Sequence, residues 1–259
     1  EVVEFGNDVK GYSVGDRVMC SGSSAWAEYA VADHGRVIKI PNNNMDYLKA
    51  STYPIALATM HNAILTVGNF TKGQSILIQG ASSGVGLMGL QIAKHLEAKI
   101  VIGTSTKANK FEKLKSLGAD LVLNSKDSDW VNQVLSVTEG QGVDLVVDQL
   151  SGYTVNQNMQ ATKIKGKIVN VGRLAGGTTD FNCDIHALRR INYVGVTFRT
   201  RSIDEIRDVY SKMWNDFENL VVSGELSLPV EKVFDFKDVG KALSFMRDNQ
   251  HFGKLVLKL

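Results

Sequence analysis

The sequence lacks what marks a disulfide scaffold, a metal centre or a membrane span. Its 259 residues include two cysteines, Cys20 and Cys183, far apart and without C-x-x-C spacing or a neighbouring histidine cluster. They read as buried or idle thiols of a reducing cytoplasm. A structural zinc site needs about four clustered ligands, so none is expected. No uninterrupted apolar run reaches the roughly 18 residues that argue for a membrane helix. The opening Glu1-Val2-Val3-Glu4 is not the basic start of a secretory signal. Charge of one sign is also scarce: the net charge is +2, which argues against a broad basic surface for nucleic acid. What remains is 44% hydrophobic and 22% charged residues, a soluble globular balance. That is material for two domains of ordinary size or one large one.

The informative stretch is residues 75–110, SILIQGASSGVGLMGLQIAKHLEAKIVIGTSTKANK. A short apolar run, Ser75–Gln79, leads into the small residues Ala81-Ser82-Ser83-Gly84-Val85-Gly86. Leu87, Leu90, Ile92, Ala93 and Leu96 then recur at helical spacing, and residues 100–102 are apolar again. A strand entering a helix through small residues leaves helix-start N–H groups free and lets a backbone approach closely. That is how a pyrophosphate is held. Ala81, Ser83 and Gly86 stand where G-x-G-x-x-G is expected. Taken alone, the turn serves equally well as a plain strand-to-helix junction packed by small residues.

A missing acid chooses between coenzymes. An NAD-type unit places Asp or Glu at the end of its second strand, for the ribose 2′-hydroxyl. Here that end reads Gly103-Thr104-Ser105-Thr106-Lys107-Ala108-Asn109-Lys110, and no acid lies between Glu97 and Glu112. Hydroxyls and two lysines suit a 2′-phosphate, so NADPH is favoured over NADH. The competing reading makes Lys107 and Lys110 ordinary solvated lysines. A cation at a helix start is unfavourable by up to about 1 kcal/mol, so an anion nearby explains them better.

Along the chain, residues 1–40 are β-like, with strands expected after the turn at 13–16, at 27–31 and at 37–40. Three strands are too few to close a barrel, and the chain is expected to begin partway into a domain. Asn42-Asn43-Asn44 is a loop, and residues 46–67 are helical, broken by Pro54. From residue 75 onward the pattern alternates. Helices are expected at 109–117, 129–137 and 153–162, and strands at 121–123, 143–147 (with Asp148 at the end), 167–171 and 193–198. Such alternation means a parallel, doubly wound sheet with ligands at the carboxyl ends of its strands. Residues 203–222 form an amphipathic helix, 228–236 are extended, 239–246 are helical and 255–259 form a closing strand. The two ends of the chain read as one domain with the nucleotide domain inserted between them.

In their order and spacing, the stretches YSVGDRVM, AWAEYAVA, GASSGVGLMGLQIAK, LKSLGAD, VDLVVDQLSG, GKIVNVG, VGVTFRTRS and GKLVLKL resemble the zinc-independent quinone oxidoreductases of the medium-chain dehydrogenase/reductase superfamily. The resemblance implies an α/β architecture. A Rossmann domain, residues 58–199, is inserted into a β-rich GroES-like catalytic domain made of residues 1–57 and 200–259. It implies that about sixty residues of the family's pattern precede Glu1. It also implies NADPH as cofactor and a homodimer paired through the Rossmann edge strand at 192–198.

By matching motif, Thr59 lies near the nicotinamide and diphosphate, Ser82, Ser83, Gly84 and Val85 face the diphosphate, and Ser105 and Lys110 hold the 2′-phosphate. Ser125 stands where relatives carry an aromatic residue beside the adenosine. Gly172, Arg173, Phe198 and Arg199 border the nicotinamide, and Lys254 reaches the cofactor. Some have a bland alternative: a helix-face hydroxyl for Thr59, and solvated charge for Arg199, with the nearby Arg201, and for Lys254. The lone histidines His61 and His186 are expected to be structural, and Tyr53 to be packing.

The implied activity is hydride transfer from NADPH to a quinone or similar conjugated acceptor, with no catalytic acid assigned. An enoyl or alkenal reductase is the second enzyme reading. A non-catalytic NADPH-binding protein is the reading from another class.

Overall fold

The computed structural model describes residues 1–41 and 45–259, so the asparagine loop at 42–44 lies outside the described residues. The chain divides into two compact units, Glu1–Ala58 with Thr200–Leu259, and Thr59–Arg199.

The outer unit begins with an antiparallel pair, β1 (Val18–Cys20) and β2 (Val37–Lys39). The strand expected at 27–31 does not form. Those residues follow bends and coil, with Tyr29 74% and Val31 95% exposed. Alternation becomes a strand only where a ladder partner satisfies the backbone, and no described strand pairs with this one. Cys20 and Cys183 are both exposed free thiols, so of the two readings of the cysteines the buried one fails.

Asp46 caps α1 (Tyr47–Ala50) by accepting from the Lys49 N–H. α2 (Tyr53–His61) has Pro54 in its first turn, where a missing N–H costs nothing. Its end runs on as one π turn, Asn62–Thr66.

The inner unit is a six-stranded parallel sheet. β3 (Ser75–Gln79) is buried throughout, as a strand covered on both faces must be. α3 (Gly84–His95) crosses to β4 (Ile100–Thr104), and a short 3-10 turn, Ala108–Lys110, leads into α4 (Phe111–Ser116). β5 (Leu121–Leu123), α5 (Trp130–Val137), β6 (Val143–Asp148) and α6 (Val155–Ala161) follow.

β7 (Thr162–Asn170) starts five residues before the expected 167, because its first residue, Thr162, pairs with Val143 ahead of a register shift. α7 (Cys183–Arg189) was not foreseen; it buries no residue fully and so shows no strong apolar period. β8 (Asn192–Gly195) is shorter than expected and lies at the sheet edge.

The strand order is β5-β4-β3-β6-β7-β8, all parallel. The order reverses between β3 and β6, which opens a crevice at their carboxyl ends. Leu77, Ile102, Trp130, Val146, Met159 and Ile168 belong to the core beneath it.

The outer unit resumes with α8 (Ile203–Ser223), opened by a capping box between Ser202 and Glu205. It presents Ile206, Val209, Met213, Phe217 and Leu220 as one buried stripe. β9 (Val230–Asp235) pairs in parallel with β10 (Lys254–Lys258), and α9 (Val239–Arg247) connects them.

Candidate functional site

The small-residue turn after β3 is sewn to the end of β4. The Gly80 N–H donates to Thr104 Oγ1 at 3.0 Å and the Ala81 N–H to the Thr104 carbonyl at 2.9 Å. Ser83 is the N-cap of α3. Its hydroxyl accepts from the Gly86 N–H at 3.0 Å and donates to Gln149 Oε1 at 3.0 Å. The sequence reading had Ser83 facing a diphosphate; the structure commits its hydroxyl to the cap and to Gln149. The helix start supplies its N–H groups and the positive end of the dipole, from Gly84 and Val85 onward.

Beside the turn, Ser105 directs its hydroxyl to Ser82 Oγ at 3.3 Å. Its N–H donates to the Leu123 carbonyl at 2.9 Å, so the ends of β4 and β5 stay in register past the sheet. Lys110 closes the 3-10 turn and is only 4% exposed, which removes the solvated-lysine alternative for this residue. Lys107 is partly exposed.

Beyond β6 the two loops at 149–152 and 171–176 form one knot. Asp148 is fully buried. One of its carboxylate oxygens accepts from the N–H groups of Leu150, at 2.9 Å, and Ser151, at 3.0 Å. Burial pushes its pKa up, and these hydrogen bonds partly offset the push. Ser151 sits at φ 56° and ψ −146°, a conformation costly for a non-glycine residue. Its hydroxyl donates to the Gly172 carbonyl at 2.8 Å and accepts from Asn170 Nδ2 at 2.6 Å, which holds it there. Gly172 is thereby fixed next to the mouth of the crevice, and Arg173 beside it is exposed.

The inner unit thus gathers Ser82, Ser83, Gly84, Val85 and Ser105 around the crevice by direct bonds and chain continuity, with Lys110 just beyond β4 and Gly172 and Arg173 on the neighbouring loop. Ser125 is 2% exposed and its Oγ lies 3.2 Å from the Tyr153 hydroxyl, so its own side chain offers little surface to a ligand. Thr59 is half-buried in α2. Phe198 is partly buried past the end of β8, and Arg199 is exposed beside it. Lys254 belongs to the outer unit, where it opens β10 and burial pushes its pKa down.

Tyr53 is fully buried, donates to the Leu226 carbonyl at 3.0 Å and has its pKa pushed up to about 12 by burial; it is a packing residue. His61 is buried, and His186 packs at a tilt of 58° against Phe181 with ring centroids 5.4 Å apart.

The sequence reading missed the buried amides behind the turn. Gln79 accepts from Thr104 Oγ1 at 2.7 Å and donates to Asn158 Oδ1 at 2.6 Å. Gln149 donates to the Gln79 carbonyl at 3.1 Å. The available signal was a glutamine closing an otherwise apolar strand. Among the described residues no group of three or more His, Cys, Asp or Glu side chains could hold a metal ion, and no helix is long and apolar enough to cross a membrane.

A family model described as "Zinc-binding dehydrogenase" matches residues 84–217. Over 137 residues the chain is 31% identical to the highly reducing polyketide synthase pkhB of Emericella nidulans, covering 51% of this chain and 5% of that protein. Over 125 residues it is 35% identical to a probable quinone oxidoreductase of Leishmania amazonensis, covering 48% of this chain and 36% of that protein. The chain therefore spans only a minor part of the curated relatives it matches.

Among solved structures, the quinone oxidoreductase of Pseudomonas syringae pv. Tomato DC3000 superposes with a TM-score of 0.89 at 23% identity, covering 99% of this chain and 79% of that one. The Escherichia coli quinone oxidoreductase complexed with NADPH gives 0.88 at 22% identity, with 99% and 79% covered. JamJ enoyl reductase gives 0.87 at 23% identity, with 99% and 76% covered.

Proposed function

The chain belongs to the zinc-binding dehydrogenase family, within the medium-chain dehydrogenase/reductase superfamily, and from that premise we propose that it is an NADPH-dependent, zinc-independent reductase of quinones or similar conjugated acceptors. One observation carries the reading. The strand end beside a helix N-terminus bears no acid from residue 98 to residue 111, and it has Ser105 and a 4%-exposed Lys110 instead. The NADPH-complexed quinone oxidoreductase among the structural neighbours supports it.

When bound, NADPH supplies a hydride from its nicotinamide. The start of α3 holds the diphosphate through backbone N–H groups, and Ser82 adds a hydroxyl. Ser105 and Lys110 hold the 2′-phosphate by charge-assisted bonds. The Asp148–Ser151–Gly172 knot fixes the loop edge, with Arg173, that would border the nicotinamide. Thr59, Phe198 and Arg199 complete the proposed contacts within this unit. The reduced quinone takes its proton from water, so these residues need only orient the reactants and exclude competing water.

The likeness to JamJ enoyl reductase and to reducing polyketide synthases favours a second reading, reduction of an α,β-unsaturated carbonyl in the same site. We further propose a cytoplasmic homodimer joined edge to edge through β8, which size-exclusion chromatography with light scattering tests.

Steady-state oxidation of NADPH and NADH against a panel of quinones and enones decides the function. Quinone turnover with NADPH preferred is the expected outcome. Turnover of enones alone would replace it with the second reading. Tight NADPH binding without turnover of either class would overturn both.

A further inference from the structure

We propose that Tyr153 forms one wall of the pocket for the adenosine half of the coenzyme, its phenol ring stacking on the adenine; this rests on the NADPH reading above. The direction of the nucleotide follows from the sheet order. β4 lies between β3 and β5. A dinucleotide with its diphosphate at the turn after β3 and its ribose phosphate beside Ser105 and Lys110 must extend its base toward the end of β5.

The bonds at that end lead to Tyr153. Ser105 donates its N–H to Leu123 at 2.9 Å, and Ser125, two residues past Leu123, lies 3.2 Å from the Tyr153 hydroxyl. Tyr153 comes from the 3-10 turn Gly152–Thr154, after the end of β6, and its hydroxyl reaches Ser125 just past the end of β5.

The residue is built like a platform. Tyr153 is 45% exposed, whereas its neighbours Gly152 and Thr154 and its partner Ser125 are buried. Thr154 Oγ1 donates to the Ser151 carbonyl at 2.9 Å, which fixes the turn the ring stands on. The ring is thus held at its root and at its tip, and little rotamer freedom remains to be lost on binding. An aromatic face stacks on any base and needs no hydrogen-bond readout, so it adds affinity for adenosine and not for the nicotinamide half.

Fragment binding to the full chain separates the halves. By calorimetry, Tyr153→Ala is expected to weaken adenosine 2′,5′-bisphosphate and NADPH about tenfold. It should leave reduced nicotinamide mononucleotide within about twofold of the unsubstituted chain. Tyr153→Phe, which keeps the ring and loses only the tether to Ser125, should retain most of the affinity. Unchanged binding of the bisphosphate by Tyr153→Ala overturns the proposal, as does an equal loss for both fragments. If the unsubstituted chain binds neither the bisphosphate nor NADPH, the coenzyme reading itself fails, and this proposal with it.

Discussion

Replacing Gly86 by alanine sets two effects of opposite sign against each other. Alanine is the better helix former, by up to about 1 kcal/mol in an open helix. At Gly86 the helix is not open. An added Cβ would come within 2.7 Å of the Ala81 Cα and the Gly80 carbonyl oxygen, and within 2.8 Å of the Ala81 carbonyl carbon. These are backbone atoms, and the Ala81 N–H is bonded to Thr104 while the Gly80 carbonyl accepts from the Ser83 N–H. The turn must shift by several tenths of an ångström, an overpacking cost of about 1–3 kcal/mol.

The expected net loss for Gly86→Ala is about 1–2 kcal/mol, or roughly 2–8 °C in Tm for a chain of this size. Gly89→Ala in the same helix is the control. Its Cβ would meet the side-chain ends Ile78 Cδ1 at 2.8 Å and Met60 Sδ at 2.9 Å, which can move aside. Thermal and urea unfolding of both variants should place Gly86→Ala clearly below Gly89→Ala, with NADPH affinity reduced only in the former. If Gly86→Ala proves as stable as Gly89→Ala, the close approach of α3 to its own turn is not what the glycine serves.

Lys110→Ala should weaken NADPH by about ten- to 150-fold while changing NADH little, because one charge-assisted contact is worth roughly 1.5–3 kcal/mol; equal losses in a titration of both coenzymes would show that Lys110 does not read the phosphate. Tyr53→Phe leaves the Leu226 carbonyl without its 3.0 Å donor and should cost about 1–2 kcal/mol in chemical denaturation. Because burial raises the Tyr53 pKa to about 12, the folded state retains this proton above pH 10. The corresponding stability is complete below pH 10 and is lost as pH rises through 12, so the variant should show a flatter alkaline limb. The Asp148 carboxyl is shifted upward by burial, so its contribution runs the same way: full below the ordinary carboxylate range and lost as pH rises through the shifted pKa. Asp148→Asn should remove that slope from the acid limb of a stability–pH profile, and an unchanged limb would count against the buried-carboxylate account.

The inner sheet was legible because its strands are short apolar runs closed by glycine or a polar residue. β3, β5 and β6 begin and end within a residue of where the sequence places them. Its edges were not. Thr162-Lys163-Ile164-Lys165 has too little apolar content to announce the start of β7, and α7 lacks a fully buried face. Residues 27–31 carried the right alternation and made no strand, because a period of two states which face would be buried and supplies no partner. At the site, the small-residue turn and the missing acid were visible as composition. The buried bonds among Gln79, Thr104, Asn158 and Gln149 were not, because residues 25 to 79 positions apart meet only once β4 and β6 flank β3.

The outer unit draws on both ends of the chain: Asp33 accepts from Arg207 at 2.7 Å, and the Ser21 hydroxyl bonds to Tyr210. During synthesis on the ribosome, the six-stranded sheet has all its own residues once position 199 has emerged. Residues 18–39 must then wait, exposed, for α8 to be made. An arrest placed so that position 200 has just left the ribosome, with α8 still enclosed, should therefore yield a nascent chain whose middle resists protease while β1 and β2 remain cleavable, an order of assembly written into the connectivity alone.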